Sequence, residues 1–412
     1  MEYDVLVVGG GASGILASII LKDNGINSAL LESKDRIGKK ILITGNGRCN
    51  ITNKNLSPLF YHGENKDFID NIINNFSYKD CEDLFNYLGL PFTTLEEGKT
   101  YPLSLQASSV IDIFRLAIED RNIPIYFNSK IKKIKKQDSL FILETTDGVI
   151  YKSKRVLFCC GGSSMPSTGS DGSCYTLAKS LGHKIIKPLP SIVQLRLDYK
   201  NLRALSGVKF DGNVNLLVDD KIISQKSGEI LFTDYGISGP AILNISRDAS
   251  YYLNKNKSVF ITVDLLKNFS KEDFIEFMES HLAIFSHREI SQSFLGIINK
   301  KIIPIILKDS SITDIHMPCY NLSYEEKLNL FNNLKNWKFK VSGTQPFANS
   351  QVTMGGIDTT EVNGKTLESK KVKGAYFAGE MLDVDGDCGG YNLHFAWATG
   401  VIAASAIAKN LR

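Results

Sequence analysis

The chain opens on unbroken apolar runs separated by glycine. Residues 3–8 are apolar at nearly every position rather than at every second one, which predicts a short strand buried on both faces of a parallel sheet. That strand runs into Gly9-Gly10-Gly11-Ala12-Ser13-Gly14, and the apolar stretch 15–24 predicts a helix closed by Gly25. A second apolar run, 27–31, predicts another strand and ends at Glu32. Segments 125–131, 139–144 and 149–152 read as a meander of short strands leading into the run 156–158 and the pair Gly161-Gly162. Near the far end, 374–377 predicts a strand stopping at Gly379-Glu380, and 393–408 predicts a helix after Gly389-Gly390-Tyr391-Asn392. Between these flanks, residues 190–265 show only short β-runs, at 208–209, 214–218, 221–224, 230–233 and 258–264. Residues 270–337 carry helical spacing, with capped starts at Ser270-Lys271-Glu272-Asp273 and Ser323-Tyr324-Glu325-Glu326.

The pattern predicts an α/β fold: a discontinuous, Rossmann-like dinucleotide-binding domain with an inserted β-barrel-like module and a small helical one. The expected boundaries are 1–190 and 347–412 for the first, 191–266 and 338–346 for the second, and 267–337 for the third. A chain of 412 residues, 43% hydrophobic and 22% charged, is long enough for several cores. The net charge of +4 speaks against a dedicated nucleic-acid surface, and the run Lys132, Lys133, Lys135 and Lys136 reads as a solvated strand or turn. Seven cysteines include no C-x-x-C, so free, buried thiols in a reducing cytoplasm are expected. No apolar run is long enough to cross a bilayer, and His281, His287 and His316 lack ligand spacing, so neither a membrane partner nor a metal is expected. The sequence sets no oligomeric state.

Strand, glycine turn, helix, strand and acid, in that order, form a complete dinucleotide-binding unit. Gly9 permits the tight turn, Gly11 lets a diphosphate approach the backbone, and Gly14 lets the helix pack against the sheet. The diphosphate then meets free N–H groups at the positive helix end, and Glu32, eighteen residues beyond Gly14, is placed to accept from ribose hydroxyls.

NAD enzymes share this turn, so the choice of dinucleotide needs other signals. The strand 156–158 ending in Gly161-Gly162, and the strand ending in Gly379-Glu380, are similar to the second and third cofactor elements of the glutathione-reductase-type FAD fold. Cys159-Cys160 stands where that fold has Ala-Thr, and Glu380 stands for its ribityl-binding Asp. No second G-x-G-x-x-G follows a strand, so a nicotinamide reductant would be a transient visitor without a domain of its own.

Three longer stretches carry a family resemblance. They are Gly38-Lys39-Lys40 through Gly45-Asn46-Gly47-Arg48-Cys49-Asn50 to Asn53; Gly228 to Pro240; and Gly379-Glu380 through Asp387, Gly389-Gly390-Tyr391-Asn392 to Gly400. Together they resemble the BaiN/RdsA-type NAD(P)/FAD-dependent oxidoreductases, which include proteins named aminoacetone oxidase. With the residue-level reading, the resemblance implies non-covalent FAD. Its expected contacts are Gly9, Gly11, Ala12, Ser13, Gly14, Glu32, Ser33, Lys40, Thr44, Gly45, Asn46, Gly47, Arg48, Asn50, Ile131, Cys160, Gly161, Gly162, Asp171, Gly379, Glu380, Asp387, Gly390, Tyr391 and Asn392. Gly98 to Pro102 reads as a loop flanking the flavin or substrate. Tyr391, Asp387 and Tyr101 are candidate proton donors, and nothing in the sequence chooses among them. His394 and Trp397 read as core residues of the last helix.

The leading functional reading is an enzyme, an FAD-dependent oxidoreductase acting on a small organic molecule: NAD(P)H-linked reduction of an activated C=C or C=O. The competing version is an oxidase of a small amine such as aminoacetone, producing hydrogen peroxide. A tRNA-modifying flavoprotein ranks below both, given the modest charge, and a non-catalytic flavin sensor ranks last.

Overall fold

The computed structural model describes residues 2–411. It divides into two compact units, one running to Pro190 and resuming at Phe347, the other Ser191–Pro346.

The first unit is built on a mostly parallel sheet. Its order is Ile125–Tyr126, Ser28–Leu31, Glu2–Val8, then the long strand Ile150–Phe158. Val8 lies opposite Leu31 on one side and Phe158 on the other, so the three strands end level with one another where the glycine turn begins. Val5, Leu6 and Val7 have no exposed surface, as a strand flanked and covered on all sides requires. The far half of Ile150–Phe158 pairs in parallel with Ala375–Phe377, bringing a strand from near the end of the chain into the same sheet. Its near half pairs with Leu140–Thr145, which in turn pairs with Ile131–Gln137, completing the expected meander. Lys132, Lys133, Lys135 and Lys136 are exposed on that last strand. Helix Ala12–Asp23 packs on the C-terminal helix Tyr391–Leu411. The approach is close enough that a Cβ on Gly400 would lie 2.4 Å from the Ser13 carbonyl oxygen. Small antiparallel pieces surround this layer. Thr52–Asn53 and Phe92–Thr94 flank Lys99–Pro102, so the segment expected as a loop from Gly98 is a strand. Tyr61–His62 pairs with Asp385–Gly386.

The second unit is a closed barrel in the order Leu195–Asp198, Gly236–Ser238, Lys221–Phe232, Lys209–Val218, Val259–Asp264, Trp337–Thr344. The barrel corrects the short β-runs. Residues 209 and 214–218 belong to one strand, and 221–224 and 230–232 to another, with Val208 and Thr233 just outside them. Helix Pro240–Asn254 lies inside the stretch expected to hold only short β-runs. The helical stretch behaves as its caps predict: Ser270 accepts from the Asp273 N–H, and Ser323 and Glu326 form a complete capping box. Among the described residues no helix is long and apolar enough to cross a membrane.

Candidate functional site

The opening turn separates what the fold requires from what it leaves free. Gly9 adopts φ +108°, and a Cβ there would lie 2.4 Å from the Cys159 carbonyl oxygen. A Cβ on Gly14 would lie 1.9 Å from the Gly9 carbonyl oxygen, so the helix can start this close to the strand only without a side chain. Gly11 differs. Its backbone is extended, φ −89° and ψ −163°, and nothing lies within 4 Å of the place a Cβ would take. The fold makes no demand for glycine at that position. The helix it precedes has no side-chain N-cap and no acid in its first turn, which leaves its first N–H groups and their positive potential for an anion.

Glu32 is buried beside this turn. Its Oε2 accepts from the Gly10 N–H at 2.7 Å, and its Oε1 accepts from the Lys34 N–H at 2.7 Å and the Ser33 hydroxyl at 3.1 Å. Across from it runs the segment 161–173. Gly169 abuts Ser33 and Lys34, and Asp171 pairs with Lys130 at 2.5 Å, next to buried Ile131. Gly161 approaches Ser170, whose buried hydroxyl has no partner among the described residues. Gly162 approaches Thr353 and Glu380. Glu380 Oε1 accepts from the Thr353 N–H at 2.9 Å, and Oε2 from Lys40 Nζ at 2.5 Å. Lys40 and Glu380 are thus joined across 340 positions. Gly379, at φ +79°, lies against the Ser13 hydroxyl. Thr353 is not among the residues expected at the site, because a lone Thr carries no local signal.

At the other end, Gly45, Asn46 and Gly47 follow Thr44 in a run of left-handed residues, and Arg48 lies 4.8 Å over the ring of Tyr101. Asn50 Oδ1 is buried without a hydrogen-bond partner among the described residues. A Cβ on Gly390 would lie 2.8 Å from that oxygen and 2.5 Å from the Thr52 carbonyl, at φ +100°. A buried acceptor with no donor, beside a closely packed glycine at the start of a 21-residue helix, fits a ligand that carries an N–H or hydroxyl. Asn392 does not face such a ligand: its amide bonds both the N–H and the carbonyl of Gly386.

Tyr391 and Asp387 are brought together, whereas Tyr101 lies beneath Arg48. The Tyr391 ring stacks on Phe60 at 4.6 Å, and burial, with Asp387 and Glu97 nearby, pushes its hydroxyl up to about 12. Asp387 Oδ1 is 2.6 Å from His62 Nε2, both side chains about a third exposed. His62 was missed because no local pattern links positions 325 apart; the Tyr61–His62 and Asp385–Gly386 ladder does. His394 is structural. Its Nε2–H donates to the Phe76 carbonyl, its Nδ1 accepts from the Thr52 hydroxyl, and burial lowers it to about 4. Trp397 is fully buried and donates to the Ile51 carbonyl. The cysteines depart from expectation. Cys160 and Cys174 are joined, because the segment between them folds back on itself, and Cys388 is exposed. Among the described residues no group of three or more His, Cys, Asp or Glu could hold a metal.

The family model described as the HI0933-like protein Rossmann domain matches residues 3–406. The chain belongs to this family. A relative from Clostridium scindens, named 3-dehydro-bile acid delta(4,6)-reductase, is 37% identical over 98% of each chain. A Haemophilus influenzae relative named ribosomal RNA dihydrouridine synthase is 28% identical, and an Escherichia coli relative of the same name 27%. The former alignment covers 98% of both chains, and the latter 97% of this chain and 96% of the relative. The solved 3-ketosteroid delta1-dehydrogenase from Sterolibacterium denitrificans shares the architecture, with TM-score 0.53 over 99% of this chain and 100% of that one; at 12% identity the likeness is of fold alone. The HI0933-like chain is an FAD-dependent oxidoreductase, and its fold is the α/β arrangement with a barrel insertion that the sequence predicts.

Proposed function

We propose that this flavoenzyme reduces a C=C bond conjugated to a carbonyl in a small organic molecule, taking its electrons from NAD(P)H. The observation that carries the reading is full-length identity of 37% to a reductase named for a 3-dehydro, Δ4,6 substrate, whose double bonds are conjugated to the 3-oxo group. FAD, when bound, would supply the two-electron carrier. The chain supplies the rest. Gly11 and the N–H groups of Ala12, Ser13 and Gly14 take the diphosphate, and Glu32 with Ser33 takes the adenosine ribose. Ile131, Cys160, Gly161, Gly162 and Asp171 border the cofactor on one side. Lys40, Thr44, Gly45, Asn46, Gly47, Arg48, Asn50, Gly379, Glu380 and Gly390 hold its other half. A helix start at Gly390 favours negative charge arriving nearby.

Saturating a conjugated C=C also needs a proton at the carbon next to the carbonyl. Tyr391 is the donor we assign. Its hydroxyl, pushed up to about 12, keeps its proton through neutral pH and can give it to a strongly basic carbanion. Asp387 and His62, paired and partly open to water, restore it.

Anaerobic mixing with NADH or NADPH bleaches the flavin, and addition of an α,β-unsaturated ketone restores its colour and yields the saturated ketone. Tyr391→Phe slows the second step about 10²–10⁴-fold and leaves the first unchanged. Reduction by aminoacetone with peroxide release, and none by either nucleotide, overturns the reading in favour of an amine oxidase. The two relatives named ribosomal RNA dihydrouridine synthase favour a second reading, because the uracil double bond is also conjugated to a carbonyl. Turnover on a ribosomal RNA fragment and on no free ketone selects it.

A further inference from the structure

Residues 161–173 leave the sheet beside the opening turn and return to it. They border Ser33 and Lys34 through Gly169, and Thr353 and Glu380 through Gly162. Cys160 and Cys174 stand at the two ends of this segment, joined, with Cα atoms 6.3 Å apart. We propose that this pair is a reversible thiol–disulfide switch that sets how tightly the protein retains FAD. The inference rests on the placement of the adenosine diphosphate half of FAD between residues 9–14, 32–33 and 161–171.

Three observations support a switch over a fixed staple. First, both sulfurs belong to half-buried residues, whereas Cys49, Cys81, Cys159 and Cys319 are at most 5% exposed. A small thiol or disulfide therefore meets this pair before those four. Second, adjacent Cys159 shows what an inert thiol looks like here. Its thiol lies against Ser13, and burial pushes it up to about 12. Third, the open state has a partner waiting. Cys160 Sγ lies 3.4 Å from the carbonyl oxygen of Val8, the residue before Gly9, so a free thiol can donate there and no polar group is orphaned.

The exchange balances with a low-molecular-weight disulfide as oxidant. The thiolate of one cysteine attacks that disulfide, forming a mixed disulfide and releasing one small thiol. The second thiolate attacks the protein sulfur, closing the Cys160–Cys174 bond and releasing the other. Two electrons pass from the dithiol to the small disulfide, which leaves as two thiols. Closing the bond restricts the segment before FAD arrives, so binding has less ordering to do. The coupling is reciprocal: FAD that binds about tenfold more tightly to the closed form lowers the midpoint potential of the pair by about 30 mV.

The experiment equilibrates the holoprotein in glutathione buffers from fully reduced to fully oxidised. It counts thiols in denaturant, maps linked peptides, and measures FAD released on ultrafiltration. We expect seven thiols when reduced; oxidation removes two as a Cys160–Cys174 peptide, and glutathione carried by exposed Cys388 is scored separately by peptide mass. The oxidised form should hold FAD about tenfold more tightly. Cys174→Ser should lose the response to glutathione ratio and release FAD as the reduced protein does. Seven thiols in every buffer, or a Cys174→Ser protein that still responds, overturns the proposal. Equal FAD release by the two forms overturns the switch alone, and no FAD binding by any form overturns the cofactor placement with it.

Discussion

Gly11→Ala is the substitution that separates the cofactor from the fold. Its backbone is extended, in a region alanine adopts freely, and the new methyl group meets no protein atom within 4 Å. The apo-protein should therefore lose nothing. It should gain roughly 0.4–1 kcal/mol, because the unfolded chain has fewer conformations to lose. The same methyl group fills the space through which a diphosphate reaches the helix N–H groups. Forcing a methyl into a closely packed contact costs about 1–3 kcal/mol, so the FAD dissociation constant should rise about 5- to 150-fold. Gly14→Ala is the contrast. There the methyl lies 1.9 Å from the Gly9 carbonyl oxygen and 3.1 Å from the Cys159 Cβ, and the apo-protein itself should lose roughly 1–3 kcal/mol. Thermal unfolding of the two apo-proteins, alongside FAD titration by flavin fluorescence, reads both quantities. A Gly11→Ala protein that binds FAD as the parent does, or that unfolds earlier without FAD, refutes the assignment of the open space to the diphosphate.

Three further outcomes follow from single contacts. His394 is held near 4 in the fold against 6.5 when exposed, so the unfolded chain takes up a proton that the folded chain refuses. Stability present above pH 6.5 should be lost as pH falls toward 4, by about 3 kcal/mol in all, and urea unfolding of His394→Gln should show a flatter profile over that window. Lys40→Met leaves the Glu380 carboxylate, 19% exposed, without its cation and should cost about 1–3 kcal/mol; Lys40→Met with Glu380→Gln should recover part of it, which a double-mutant cycle measures. Ser323→Ala removes the side-chain half of a capping box, keeps the Ser323 N–H bond to Glu326, and should lower stability by about 1 kcal/mol in the same assay.

The flavin-binding half of the fold was legible because its signals are local. A parallel core strand such as Glu2–Val8 is a continuous apolar run, and a glycine turn has fixed spacing whatever follows it. The barrel was less so. Asp211-Gly212-Asn213 interrupts an apolar pattern and reads as a turn, yet Lys209–Val218 runs straight through it. Glycine is needed there because a Cβ would lie 2.7 Å from the Asp264 carbonyl oxygen on the neighbouring strand. Helix Pro240–Asn254 was hidden by Gly239-Pro240, which reads as a turn and is in fact a helix start with proline at its first position. At the site, Gly9, Gly11, Gly14 and Glu32 announce themselves by spacing. Lys40 with Glu380, and His62 with Asp387, do not, because strand pairing and chain return bring them together and no sequence period encodes either. The Cys160–Cys174 pair is nearer in sequence, but only the folding back of residues 161–173 joins it.

The central claim is that one adenine dinucleotide lies along the turn at Gly11 and extends toward Gly390. Denaturing the purified, FAD-reconstituted chain and identifying the released flavin by mass tests it most directly. One FAD per chain, displaced by neither FMN nor riboflavin at equal concentration, is the predicted result. A chain that takes up no flavin, or that holds FMN as firmly as FAD, contradicts it, because then the turn and Glu32 contribute nothing to binding.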